Sequence, residues 1–208
     1  MGKIRSLFRY DAKFWEVLSL VCDFFLLSVF WTVTSLPLVT IGASTAALDQ
    51  MVLRHIREGT FAPLTDYFRH FAANVVKASL VWLAYAAAVA WLLVSTAVFR
   101  AMELAAAGTV LAILELSALF VLMLGFRFAF ILQAKLRQNP LITIAKATRA
   151  GLLYFPRAFA ALALLLCAVQ VVLWVPLLLP AFLCFGVAGL SYLQMRLLNR
   201  KLLVLETE

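Results

Sequence analysis

Four ionisable residues, Asp23, Asp49, Glu115 and Arg127, fall inside long apolar runs. A charge at that position in lipid is costly and needs a partner, so such residues mark either an ion or substrate pathway or a structural pair. Asp23 lies about ten residues in from Lys13, and Arg127 about eight in from Lys135. At ~1.5 Å per helical residue both sit about 12–15 Å from the same end. Asp49 is shallower on that side. The spacing predicts an intramembrane ion pair or triad of Asp23, Arg127 and Asp49, read first as a lock that holds helices in register. Glu115 lies too far along its own run to join them, and Glu16, at a run's edge, can reach the interface.

Other chemistry is sparse. His55 and His70 are the two histidines; Asp66 and His70 are four apart and can meet on one helical face, which is more often a solvated contact than a catalytic dyad. No Gly-x-x-x-x-Gly-Lys-Ser/Thr loop, His-Glu-x-x-His or Gly-x-Ser-x-Gly occurs. Cys22, Cys167 and Cys184 lie in apolar runs without paired spacing, so neither a disulfide framework nor a zinc site is expected. The expectation is a non-enzymatic chain with no catalytic residue, cofactor or metal. The N-terminal run carries Asp23 and lacks a small-x-small cleavage site, so it reads as a span rather than a signal peptide. The Met1-Gly2 start with Ser6 fits a myristoylation pattern by chance.

The elements that position these residues follow from composition. Of the 208 residues, 65% are apolar and 13% charged. An ordinary soluble domain has about 45–50% apolar and about 25% charged residues, so the polar side chains here are too few to coat a water-soluble globule. The excess apolar surface must face lipid. A net charge of +8 would suggest nucleic acid in a soluble protein; interleaved with apolar runs, it suggests anionic headgroups.

Spans are expected over roughly 14–34, 37–55, 78–99, 104–133, 158–178 and 181–197. Together they form an all-α, polytopic transmembrane helix bundle in a single membrane domain, 1–208. The 37–55 segment is rich in small residues and holds Asp49. Pro37, Gly42, Ala43, Ala46 and Ala47 are its candidate helix-packing residues, because small side chains let backbones approach closely. With six spans, all 18 Lys and Arg residues except Arg100 and Arg127 fall on one side, which the positive-inside rule makes cytoplasmic together with both termini. Five spans plus a re-entrant or interfacial 37–55 segment is the alternative.

Two interfacial amphipathic helices are expected, over roughly 62–75 and 140–155. Leu64, Tyr67, Phe68, Phe71 and Val75 form the apolar stripe of the first. In the second, Asn139 is the expected N-cap, Pro140 the first helical residue, and Leu141, Ile144, Ala145 and Leu152 the stripe. Each would lie along the headgroup boundary, apolar face down. Arg57, Arg69, Lys77, Lys146, Arg149 and Arg157 are candidate docking residues there. Arg57, Arg69 and Lys77 match Arg137, Arg149 and Arg157 at one constant offset, a faint parallel repeat. Gln170 and Gln194 read as interhelical hydrogen bonds. Trp15, Trp31, Trp82, Trp91 and Trp174 read as interface and packing residues.

The stretch from Trp31 to Gly59, with Ser-Leu-Pro-Leu-Val-Thr-Ile-Gly-Ala-Ser-Thr-Ala-Ala-Leu at 35–48, resembles the YesL-type bacterial membrane proteins. Asp66-Tyr67-Phe68-Arg69-His70-Phe71, Asn74, the basic lead-in at 145–159 and the tail Leu197-Leu198-Asn199-Arg200 resemble them too. Ser28 departs from the Asn common in such proteins. The resemblance implies an accessory component associated with carbohydrate ABC importers in Gram-positive bacteria, and it carries over no catalytic or binding residue. The expected partners are therefore the lipid bilayer and permease subunits of an importer for oligosaccharides, with no nucleic acid, in the bacterial cytoplasmic membrane. Two alternatives are an independent small transporter or channel using the intramembrane charges, and a membrane scaffold for a sensor or polysaccharide enzyme.

Overall fold

The computed structural model describes residues 2–59, 64–101, 105–136 and 139–202. Arg137, one member of the repeat, lies outside the described residues, as do the side chains of Lys13, Glu16, Leu64, Arg100 and Lys135. The described residues contain no β-strand. Helices α1 (Gly2–Ser35), α2 (Ile41–Glu58), α3 (Leu64–Ala101), α4 (Ala105–Leu136), α5 (Pro140–Leu153) and α6 (Phe155–Trp174) are followed by a broken element. That element comprises the short turn α7 (Leu179–Ala181), a π-helical segment (Phe182–Gly186) and α8 (Val187–Leu202).

Five stretches are long and apolar enough to cross a membrane: Leu18–Ser35, Thr65–Val98, Gly108–Ala134, Phe155–Trp174 and Pro176–Leu198. Helices suit them because lipid offers no partner to a backbone N–H or C=O. Large apolar side chains such as Trp91, Leu114, Leu173 and Leu177 point away from the bundle, as a lipid-facing surface requires.

α2, the sixth span expected from charge counting, is not among these five. It is enclosed instead. Ten of its 18 residues are buried, and it packs against α1, α3, α4 and α8. A helix that polar is stable here because protein, not lipid, surrounds it. Gly59 ends it in the left-handed conformation, φ 73°, and donates its N–H to the His55 carbonyl at 2.8 Å, a cap that glycine adopts at least cost.

The turn from α1 to α2 is held by side-chain and backbone hydrogen bonds. Pro37 cannot continue a helix, and a 3-10 turn over Leu38–Thr40 follows. The Thr40 hydroxyl lies 2.6 Å from the Thr34 carbonyl and 2.7 Å from that of Pro37, and the Trp82 indole N–H donates to the Leu38 carbonyl at 2.9 Å. Pro37 itself is exposed. It is a chain breaker rather than the packing residue expected from the sequence.

The first expected interfacial helix is not separate. Residues from Leu64 to Ala101 form one continuous helix, since neither Gly nor Pro interrupts them. Tyr67 is fully buried, Phe71 packs against the core, and Val75 packs against Ala43, Ala46, Ala78 and Ala134. The stripe over 64–75 is thus mainly a protein-packing face, because α2 folds back against it.

α5 does exist as its own helix, over nearly the expected range. Asn139 occupies the N-cap position, yet its side chain makes no capping bond; its carbonyl receives the Thr143 N–H at 3.0 Å. The expected apolar stripe faces away from the bundle, as a face laid on lipid would, except at Ile144, which packs against the core. Leu141, Ala145 and Leu152 are exposed, while Thr143, Ala147, Ala150 and Gly151 are buried. Small residues win this face because α4 lies close. A Cβ on Gly125 would stand 2.9 Å from the Thr148 backbone, and one on Gly151 would stand 2.8 Å from that of Leu124.

Candidate functional site

The most enclosed charges join α2 to α4. Arg127 donates from Nη1 to Asp49 Oδ2 at 2.9 Å and from Nη2 to Asp49 Oδ1 at 2.8 Å, the planar fork that matches a carboxylate. Asp49 is 0% exposed and Arg127 7%. Ser191 on α8 is buried and lies close enough to the Asp49 carboxylate to act on its charge. Three helices therefore meet at one carboxyl group. Arg127 Nε remains without a hydrogen-bond partner, so the cluster is strongly but not completely satisfied.

Asp23 does not join this pair. It interacts electrostatically with His55, whose ring also packs against Phe24 and Tyr192 at centroid distances of 6.4 and 6.1 Å. The expected triad is thus divided between two clusters. The α1–α2 hairpin supplies the reason. Asp23 and His55 lie at similar chain distances from its turn, whereas Asp49 lies six residues, or about 9 Å, nearer to that turn.

Other polar side chains bridge helices singly. Gln194 Nε2 donates to the Ala161 carbonyl at 2.9 Å, joining α8 to α6, while Gln170 is exposed. Thr143 Oγ1 donates to Gln133 Oε1 at 2.9 Å between α5 and α4. Ser28 Oγ accepts the Ala188 N–H at 3.1 Å, and Thr32 Oγ1 donates to the Leu183 carbonyl at 3.2 Å. These two hydroxyls serve backbone groups around the π-helical segment, where the ordinary helical ladder is interrupted. Sequence reasoning singled out neither Thr32 nor Ser191. The available signal was the spacing of Ser28 and Thr32, one helical turn apart in an apolar run.

Gly42, Ala43, Ala46 and Ala47 are all buried. A Cβ on Gly42 would collide with the Ala78 carbonyl oxygen and with Trp82, so α2 and α3 are in backbone contact there. The basic residues have another setting. Arg57, Arg69, Lys77, Lys146 and Arg149 are exposed and Arg157 is half-buried. Arg54 bridges Glu58 at 2.8 Å and Asp66 at 2.9 Å, tying α2 to α3 at that end; Asp66 thus has a cationic partner on another helix. Among the described residues no group of three His, Cys, Asp or Glu side chains is placed to hold a metal.

Residues 24–96, from within α1 through most of α3, match a family described as "Protein of unknown function, DUF624". No curated protein and no solved structure matches the chain. The matched segment contains Asp23's neighbours, the α1–α2 turn, Asp49 and the buried small residues of α2.

Proposed function

We propose that this chain is a YesL-type, non-enzymatic accessory subunit, packed in the bacterial cytoplasmic membrane against the permease subunits of an oligosaccharide ABC importer. The observation that carries the reading is the overlap of the family match at 24–96 with the 35–48 stretch on which the resemblance rests. The bundle is compatible with it in two ways. Its most deeply buried charges are committed to each other, as suits a support rather than a conduit. Exposed cations on α3 and α5, Arg69, Lys146 and Arg149, are available to anionic lipid or an acidic cytoplasmic surface.

The importer association is tested by solubilising tagged protein in mild detergent from cells grown on oligosaccharide. Permease subunits should be retained in fixed stoichiometry, and deletion should lower sugar uptake. Recovery as a lone species, with uptake unchanged on deletion, would remove the proposal. An independent transporter would instead transport in vesicles containing this chain alone.

A further inference from the structure

Away from the Asp49–Arg127 pair, α4 carries an acid, Glu115, in its apolar stretch. Glu115 Oε2 accepts a hydrogen bond from Ser95 Oγ of α3 at 2.7 Å. An ionised carboxylate has about four acceptor sites, and in hydrocarbon one hydroxyl leaves most of them unmet. Glu115 opens into a groove of about 350 Å³ on the outer side of the α3–α4 hairpin. Ala88 and Ala118 line it and leave room for another backbone, while Trp91 stands at its side, 73% exposed.

We infer that this groove seats a transmembrane helix of a partner protein, with a Lys or Arg of that helix meeting Glu115. Charge selects this occupant. A lipid tail offers no donor to the carboxylate. A second copy of the chain presenting the same face would oppose Glu115 to Glu115. Between residues 78 and 134 such a copy has only Arg100 and Arg127 as cations; Arg127 is held by Asp49, and Arg100 lies at the end of α3, five residues or about 7.5 Å beyond the level of Ser95 and Glu115. Another groove, between α6 and the broken element, has a lining that includes Leu164, Val171 and Phe182 and no charged residue, so it lacks this selectivity. The inference deepens the accessory-subunit reading by naming where the partner sits.

The test uses the full chain in native membranes, with a photo-crosslinking residue at Ala118 and a control at the exposed Leu173 of α6. The expected result is an Ala118 adduct whose partner peptide lies in a transmembrane segment with a Lys or Arg within one turn. Glu115→Gln should lower its yield about tenfold or more, the loss expected for one charge-assisted hydrogen bond in lipid. Reversing both charges, Glu115→Lys with the partner's cation changed to Glu, should restore it. If Glu115→Gln lowers the melting temperature, Leu122→Trp fills the groove without altering the carboxylate and should block the adduct equally. Adducts with lipid only, with a second copy of this chain, or with a segment lacking a cation overturn the inference, as does a yield indifferent to both variants. A cationic partner that is not a permease keeps the groove and removes the importer. Retained permease without an Ala118 adduct does the reverse.

Discussion

Arg127 and Asp49, 78 residues apart in sequence, meet through two parallel hydrogen bonds across the α2–α4 interface. Each makes the other tolerable at that depth. Removing one leaves a buried charge without its counterion, and the cost of doing so is about 3–5 kcal/mol. Asp49→Leu or Arg127→Met alone should therefore lower the melting temperature in detergent strongly. The double variant should recover most of the loss, because a well-packed apolar pair dispenses with desolvation. Single variants that melt like the parent would show that the pair contributes nothing to the bundle.

Backbone contact between α4 and α5 gives a second expectation. Gly125→Ala or Gly151→Ala would force the two backbones apart, and overpacking of this kind costs about 1–3 kcal/mol. Gly189→Ala is the control: no atom lies within 4 Å of the added methyl, and alanine favours a helix by about 0.5–1 kcal/mol. Thermal aggregation midpoints should fall for the first two and hold or rise for the third. Equal behaviour at all three sites would contradict the close approach.

Ser28→Ala removes the acceptor of the Ala188 N–H beside the π-helical segment. A buried donor left unpaired costs about 1–3 kcal/mol, so stability should fall by that order. Amide exchange should also quicken locally near 188. Unaltered protection at Ala188 would assign that hydrogen bond no importance.

Sidedness is open to direct measurement. In a background with Cys22, Cys167 and Cys184 changed to Ser, Lys146→Cys and Arg149→Cys should react with an impermeant maleimide only from the cytoplasmic side. Labelling from outside intact cells would reverse the orientation inferred from the positive charges. Leu38→Cys, in the exposed α1–α2 turn, would then decide whether α2 reaches the opposite surface.

The long apolar helices are legible in the sequence because lipid demands continuous apolar helix, and Pro140 marks the start of α5. Which face each helix buries was less legible. Periodicity marks Leu141 and Leu152 as the lipid-directed apolar face of α5, and both are exposed; it gives no sign that the small residues Ala147, Ala150 and Gly151 form the face held against α4. The hydrophobic stripe loses its directional meaning when both environments are apolar. The same limit separated residues 62–75 from the span that follows: an amphipathic pattern cannot tell a headgroup boundary from a neighbouring helix. Distance along each run sets Asp23 and Arg127 at one depth with Asp49 shallower, yet Arg127 pairs with Asp49. The same measure fails for Asp23, whose neighbours are set by hairpin register.

The encirclement of α2 has a consequence for how the protein is made. Its small and polar face is covered in part by α8, so the core around Asp49 stays open until α8 has been synthesised. A nascent chain stalled after α6 would leave the α8-facing side of α2 uncovered, and it should be a substrate for membrane proteases. An uncovered α2 thus marks a chain in which α8 has not yet docked.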